Sequence, residues 1–221
     1  MYEIELKACV KDRQKIIPLI NSFAVFKGTL VKNDVYYHFK KSPEQKAISL
    51  QNQNAEKPYI TCRLRHEQIT APDGTKKTAD LLTYKSKEMH TFSNGTACEV
   101  NQENETELSD SKTVEKLLLD TGFEPAYTKT KDVMQWEKQT PFGKALLELC
   151  KVEKLGDFLE IEIIAENCYN EKAINEELKS LLLKSGLQTS DIEDKYYCEL
   201  LAEAAVMQTK TTDSHADKIK G

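Results

Sequence analysis

The chain has 221 residues, of which 30% are charged and 39% hydrophobic, and its net charge is -5. That length suits one medium domain, and the mildly acidic balance argues against general binding to nucleic acid. No stretch approaches the roughly 18 apolar residues that a membrane helix needs, and the first residues are charged rather than an apolar signal, so we expect a cytoplasmic protein.

The first half of the chain predicts one helix among extended segments. Residues 2–8, "YEIELKA", alternate like a strand, so Glu3, Glu5 and Lys7 share one face. Apolar residues at near-helical spacing follow Asp12, which is suited to cap a helix. Aromatic and β-branched residues predict strands at 31–39, 59–69 and 79–88, and "APDGTKK" forms an Asp-Gly turn between the last two.

The second half of the chain predicts more strands, with helices before and after them. Residues 96–108 are polar with alternating acids, which fits a strand with a wet face or an extended loop. A helix is expected from about 111 to 120, followed by strands in "AYTKTKDVMQWEKQ", "KALLELCKVE" and "DFLEIEIIAE", then helices at 171–186 and 191–207. This order predicts an α+β fold with an antiparallel sheet, as a single domain over 1–207 with a disordered tail at 208–221.

Charge recurs on one face of several predicted strands. The groups are Glu3 and Glu5 with Lys7, Arg63 and Arg65 with Glu67, Lys85 with Lys87, Lys129 with Lys131, and Glu160 with Glu162. Each face alone is consistent with solvent exposure, but together they also fit a sheet that curls around a charged interior. Such charges must neutralise each other or meet counter-ions. Carboxylates suit Mg²⁺ or Mn²⁺, and Arg and Lys suit phosphate oxygens, so a curled sheet predicts phosphoryl or nucleotidyl transfer.

The order of these motifs resembles the CYTH superfamily, also called triphosphate tunnel metalloenzymes. "EIELK" matches the Glu-x-Glu-x-Lys motif of that family, and the match continues in order through "NDVYYHF", "CRLRHE", "LTYKSK", "GFEPAYTKTK", "LGDFLEIE" and "YYCELL". The resemblance covers about residues 2 to 202. The Tyr-x-Glu-Leu-Leu ending is similar to the branch that contains class IV adenylyl cyclases.

The resemblance implies an antiparallel β-barrel with flanking helices, whose tunnel holds a triphosphate. It makes metal-site carboxylates of Glu3, Glu5, Glu160 and Glu162, and phosphate-binding bases of Lys7, Arg63, Arg65, Lys85 and Lys131, with Lys7, Arg65 and Lys85 expected to be catalytic. Asp34 and Tyr36 match a strand motif with a supporting role. The implied cofactor is Mg²⁺ or Mn²⁺, and the implied partner is ATP, tripolyphosphate or thiamine triphosphate, with a homodimer as a plausible assembly.

Three positions depart from the pattern of the class IV cyclases. Val133 stands where an Arg is expected, Cys150 where an acid is expected, and His38 where the family commonly has an acid. A thiol is a poor ligand for a hard metal. Val133 and Cys150 argue for altered or reduced cyclase chemistry, whereas the length and the "YYCELL" ending favour a cyclase that converts ATP to cyclic AMP and pyrophosphate. We expect that cyclase, with an inorganic or thiamine triphosphatase and a non-catalytic nucleotide or polyphosphate binding protein as alternatives.

Overall fold

The computed structural model describes residues 2–40, 61–91, 97–165 and 171–216, with the side chains of 4–40, 62–84, 104–164 and 172–206. The strands in these residues are β1 (Tyr2–Val10), β2 (Val25–Phe39), β3 (Thr61–Thr70), β4 (Lys76–Thr91), β5 (Ala97–Leu108), β6 (Phe123–Thr140), β7 (Gly143–Val152) and β8 (Gly156–Ala165). The helices are α1 (Arg13–Asn21), α2 (Ser111–Asp120), α3 (Glu171–Lys184) and α4 (Tyr197–Ala216), and a 3₁₀ turn covers Thr189–Asp191.

All eight strands form one antiparallel sheet in the order β1-β8-β7-β6-β2-β3-β4-β5. The edge strands β1 and β5 approach each other, with pairs of Cα atoms within 8 Å. The sheet therefore curls on itself like a barrel, and alternate side chains of each strand point inward. The predicted fold class, α+β with an antiparallel barrel, is confirmed.

The curl of the sheet requires its long strands to bend, and bulges in the pairing of β2 with β6 allow this bend. The pairing of β2 with β6 shifts register between Phe26 and Gly28, and again between Tyr36 and Tyr37. Gly28 has φ +125°, and a Cβ atom there would lie 2.2 Å from the carbonyl oxygen of Thr70. Only glycine fits this bulge, which increases the local twist of β2.

The predicted helices mostly form where their capping residues are placed. The Asp12 side chain accepts a hydrogen bond from the Lys15 amide at the start of α1, and Asp110 does the same for Thr113 at the start of α2. These bonds satisfy amides that the first turn of a helix leaves without partners. Residues 97–108 are a strand, which decides between the two alternatives for that segment.

The last helix differs from its prediction at both ends. It begins at Tyr197 rather than at 191, because the residues before it follow the edge of β1: Ile192 bridges Ala8, and the Glu193 amide donates to the Lys7 carbonyl at 2.8 Å. It runs to Ala216, into the segment predicted to be a disordered tail. Within the described residues, no helix is both long and apolar enough to span a membrane.

The main apolar core lies outside the curled sheet, under α1 and α3. Fully buried Trp136, Leu147 and Ile161 from the sheet pack with Ile20 of α1 and Leu178 of α3. Each such side chain contributes about 1.5–3 kcal/mol when it leaves water. This core holds the helices against the strands, and the inner face of the sheet carries polar residues beside a smaller apolar cluster.

The inner face of the sheet carries buried charge. Seven ionisable side chains that point inward are at most 8% exposed, namely Lys32, Asp34, Arg63, Glu67, Lys129, Lys131 and Glu148. The predicted convergence of charged strand faces on an interior is therefore observed. Because buried charge is costly without partners, the pairing of these residues determines what the interior can do.

Candidate functional site

Acidic and basic residues face each other across the first and last strands of the sheet. In the pairing of β1 with β8, Glu5 lies opposite Glu162, and Lys7 lies opposite Glu160. Two carboxylates directly opposite each other repel, and a bound cation relieves that repulsion. Glu5 is exposed and Glu162 half-buried, so this end of the inner face is open to solvent.

Buried Lys131 and half-buried Glu160 and Tyr197 form one group on the inner face. The Lys131 ammonium lies 2.5 and 2.7 Å from the two Glu160 oxygens, and the Tyr197 hydroxyl also donates to Glu160. Burial opposes ionisation of Glu160, but Lys131 and the hydroxyl outweigh it and lower the pKa of that carboxyl to about 2. Glu160 is therefore a carboxylate at neutral pH. Its negative charge raises the pKa of Lys131 and outweighs the opposing effect of burial, so Lys131 is an ammonium.

Lys32 and Glu148 form a second buried pair beside the first. The Lys32 ammonium lies 2.7 and 2.8 Å from the Glu148 oxygens, and the Gln135 amide donates to the same carboxylate at 2.9 Å. Burial raises the pKa of Glu148, but the nearby Lys32 charge outweighs this effect, so the pKa lies below its usual value. The two buried charges of Lys32 and Glu148 therefore neutralise each other.

Asp34 connects two basic residues on the next part of the inner face. It accepts from Arg65 at 2.6 and 3.0 Å in a two-point contact, and its other neighbour is the Lys129 ammonium at 3.3 Å. Lys129 also donates to the Tyr36 hydroxyl at 2.7 Å, and the Tyr36 ring stacks on Tyr127 with centroids 4.3 Å apart. Asp34 thereby orients Arg65 and Lys129, and the supporting role expected of it stays a prediction.

Arg63 lies further along the same face, toward the outer strands. Its guanidinium donates to the Thr83 hydroxyl at 2.8 Å and lies 3.2 Å from Glu105. Thr83 in turn donates to Glu105 at 2.8 Å. The basic residues therefore extend from Lys7 and Lys131 through Arg65 to Arg63, which is an arrangement suited to an extended polyanion.

Tyr197 lies among three lysines. Its ring centroid is 4.4 Å from the Lys7 ammonium, 4.7 Å from that of Lys131 and 5.0 Å from that of Lys129. Lys7 also donates to the carbonyl of Lys195, just before α4. Burial lowers the pKa of Lys7 from its usual value, against the opposing effect of Glu160.

Two groups of acids on the inner face could be considered for a metal ion. Ligand atoms of Glu148, Cys150 and Glu160 lie within 4.8 Å of one another, but lysines already pair with both carboxylates, and burial raises the pKa of the Cys150 thiol well above its usual value. A protonated thiol does not bind Mg²⁺. The opposed pair Glu5 and Glu162 supplies hard oxygen ligands at the open end.

The structure brings together most of the predicted site residues. Those with described side chains all lie on the inner face, namely Glu5, Lys7, Arg63, Arg65, Lys131, Glu160 and Glu162. Glu3 pairs in register with Ile164, and Lys85 pairs with Glu103, but the side chains of Glu3 and Lys85 lie outside the described residues. The roles assigned to all nine residues remain predictions.

The three departures from the cyclase pattern have different surroundings. Val133 and Cys150 pair in register and belong to one apolar cluster on the inner face, with Leu30. His38 lies 3.1 Å from Glu124, its partner across β2 and β6. Apolar packing therefore replaces two polar positions expected of a cyclase, while the histidine pairs locally.

Three residues of the site carry roles that the sequence did not predict. Lys32 lies two residues before Asp34 on β2, so strand alternation alone could have placed both on the inner face. Its partner Glu148, however, lies 116 residues away in the sequence. The sequence marks Tyr197 only as part of the Tyr-x-Glu-Leu-Leu ending. Its position at the start of a helix gives no periodic signal that it reaches into the interior.

Comparisons with known proteins agree with this architecture. Among solved structures, the PH1819 protein of Pyrococcus horikoshii OT3 is 23% identical with a TM-score of 0.67, over 91% of this chain and 99% of that one. The PH1012 protein of the same organism is 27% identical with a TM-score of 0.60, over 90% and 98%. A Vibrio parahaemolyticus protein described as a "putative adenylate cyclase" is 18% identical with a TM-score of 0.63, over 91% and 98%.

The family is shown by a match in sequence. No curated protein matches the chain. The family model described as the CYTH domain, however, matches residues 1–197, which is most of the chain. Members of this family generally act on triphosphates and depend on metal ions. The chain, with its curled antiparallel sheet and charged inner face, belongs to the CYTH domain family.

Proposed function

We propose that this protein is a metal-dependent enzyme that acts on a triphosphate, and that it converts ATP to cyclic AMP and pyrophosphate. The observation that carries the proposal is the row of basic side chains on the inner face, Lys7, Lys131, Arg65 and Arg63, next to opposed carboxylates. A triphosphate has several negative charges along one line, and such a row neutralises them.

The carboxylates Glu5 and Glu162 would hold Mg²⁺ or Mn²⁺, with Glu3 and Glu160 as further ligands. The ion would supply charge stabilisation for the phosphate oxygens and the leaving group. Glu160 already binds Lys131 and Tyr197, so it would act as a ligand only by sharing its oxygens with them. The open position of Glu5 and Glu162 suits an ion that arrives together with its triphosphate.

The basic residues would bind and orient the phosphate chain. Arg65 has a fixed direction because Asp34 accepts two of its hydrogen bonds and Glu67 accepts a third at 3.4 Å, so its two remaining donors are offered without reorganisation. In the cyclase reaction, the ribose 3′ oxygen attacks the α-phosphorus, its proton leaves, and the bond to the pyrophosphate oxygen breaks. Lys7, Arg65 and Lys85 are the residues that we expect to stabilise the charge on that leaving group.

A triphosphatase is the second candidate, and the apolar cluster favours it. Val133 and Cys150 replace polar residues of the cyclase pattern, so contacts that fix a nucleotide for cyclisation are fewer. In this reaction a water oxygen attacks the terminal phosphorus, and the bond to the bridging oxygen breaks. The basic row serves both reactions equally. The support for the cyclase is the "YYCELL" ending and the name given to the Vibrio structural relative.

The test is to incubate the protein with Mg²⁺ or Mn²⁺ and separately with ATP, tripolyphosphate or thiamine triphosphate, and to resolve the products. Cyclic AMP with pyrophosphate supports the cyclase, whereas orthophosphate without a cyclic product supports the triphosphatase. Saturable binding without any product would contradict both and indicate a binding protein. Glu5→Ala is expected to abolish metal-dependent turnover, and Glu153→Ala, at an exposed turn, is the control that retains it.

A further inference from the structure

The ring of Tyr197 occupies a position that is unusually well suited to an anion. Three ammonium groups, those of Lys7, Lys129 and Lys131, lie 4.4–5.0 Å from its centroid. A phosphorus atom whose oxygens accept hydrogen bonds from an ammonium lies at roughly 4 Å from the nitrogen, given donor–acceptor distances near 2.8 Å. The ring thus fills the point where three lysines could hold one phosphoryl group.

The segment before Tyr197 is attached to the sheet, which holds the ring in place. Ile192 bridges Ala8 of β1, and the Glu193 amide donates to the Lys7 carbonyl at 2.8 Å. At its other end, the Tyr197 hydroxyl donates to Glu160. A ring anchored from both sides acts as part of the wall, so a bound anion would meet it rather than displace it.

The surroundings of the ring are polar on one side and apolar on the other. Phe158 meets the ring edge-on, with centroids 5.3 Å apart and an interplanar angle of 87°. Leu200, one turn along α4, packs against the cluster that contains Leu30, Val133 and Cys150. In the part of the chain that the structure describes, the side of the ring away from the lysines offers no row of bases to a continuing phosphate chain.

The lysines can bind the ring and a phosphoryl group at the same time. Each ammonium has three donors, and the observed bonds use one on Lys7, two on Lys129 and two on Lys131, which leaves each lysine at least one donor. A cation can lie over an aromatic face while donating to an anion on its other side. The three lysines therefore form one end of the basic row, with Tyr197 behind them.

We propose that Tyr197 ends the phosphate path and thereby limits the number of phosphoryl groups that the basic row can bind. This inference rests on the proposed function. The terminal phosphoryl group of a triphosphate would abut the ring, and the nucleoside or other group would point toward the opposite opening. A fourth phosphoryl group would extend into solvent there, without a lysine contact.

The test is to measure the Kd values of inorganic tripolyphosphate and tetrapolyphosphate by calorimetry at one fixed Mg²⁺ concentration. The wild-type protein is expected to bind both with similar Kd. Tyr197→Ala opens one further position among the three lysines, and a charge-assisted contact there would tighten tetrapolyphosphate about tenfold relative to tripolyphosphate. Tyr197→Phe keeps the ring, so its ratio is expected to equal that of the wild type.

Other outcomes would overturn the inference. If Tyr197→Ala weakens the binding of both polyphosphates equally, the ring only positions the lysines. If it tightens the binding of both equally, the ring only competes with the anion for the lysines. If the alanine variant fails to fold, Tyr197→Leu, a smaller apolar side chain, is expected to raise the same ratio, and an unchanged ratio there also refutes the inference. A wild-type protein that binds neither ligand contradicts the proposed function itself, whereas binding with an unchanged ratio contradicts only the role of Tyr197.

Discussion

Replacing Asp34 by asparagine tests how far the stability of the fold depends on the ion network of the inner face. Asp34 is 2% exposed, accepts two hydrogen bonds from Arg65 and lies 3.3 Å from the Lys129 ammonium. Asparagine keeps the shape of the side chain but removes its charge. Arg65 would then keep only its 3.4 Å contact with the Glu67 carboxylate, and Lys129 would lose the carboxylate that lies 3.3 Å away.

The expected loss follows from the burial of all three groups. Removing one partner of a buried ion pair costs about 3–5 kcal/mol, because the remaining charge is not compensated. With a urea m-value of about 2 kcal/mol/M, the unfolding midpoint is expected to fall by about 1.5–2.5 M. Asp132→Asn is the matched control: Asp132 belongs to the same pair of strands, but it lies on the exposed outer face, where the change should be within about 0.5 kcal/mol.

The same variant has a pH signature. Burial opposes ionisation of Asp34, but Arg65 and Lys129 outweigh it and hold the pKa of the carboxyl below its usual value of 3.8. A lowered pKa contributes stability above the unfolded pKa, and this contribution is lost as the pH falls toward the folded value. The gap between wild type and Asp34→Asn should therefore be full near pH 7 and narrow below about pH 4. A midpoint shift no larger than that of Asp132→Asn, or a gap independent of pH, would refute the reasoning.

Two further predictions concern the core and the central ion pair. Leu178→Ala, under α3, is expected to lower the free energy of unfolding by about 2–5 kcal/mol, and an unchanged thermal midpoint would contradict the packing of that helix. In chelator-treated protein, stability should fall as the pH drops from about 4.5 toward 2, because the unfolded chain protonates before Glu160 does. Lys131→Met removes the main charge that lowers this pKa, so urea midpoints of that variant should depend less on pH in the same window.

The sequence predicted the inner face well because strand alternation is a local property. "EIELK" and "FLEIEII" each place alternate charges on one side, so Glu5, Lys7 and Glu160 could be assigned to one face before their neighbours were known. The helix Ser111–Asp120 was also predictable, since its Asp110 cap and apolar spacing lie within a few residues. In both cases the physical cause acts over less than one element.

The pairing of distant residues could not be predicted in this way. Which carboxylate meets Lys32 depends on the order of the strands and the curl of the sheet, and no local pattern encodes that Glu148 is its partner. The same holds for Tyr197, which enters the interior because the segment before it follows the edge of β1. The apolar surroundings of Val133 and Cys150 likewise depend on neighbours from other strands.

The pairing of β1 with β8 has a consequence for how the protein is made. Residues 2–10 pair with residues 157–165, so β1 leaves the ribosome before a partner that is synthesised roughly 150 residues later. At typical rates of synthesis this delay is about 10–30 s, during which the strand has no native neighbour. Charged side chains on a waiting strand discourage association with other chains. Glu3, Glu5 and Lys7 would therefore protect the nascent chain from aggregation before they contribute to any chemistry.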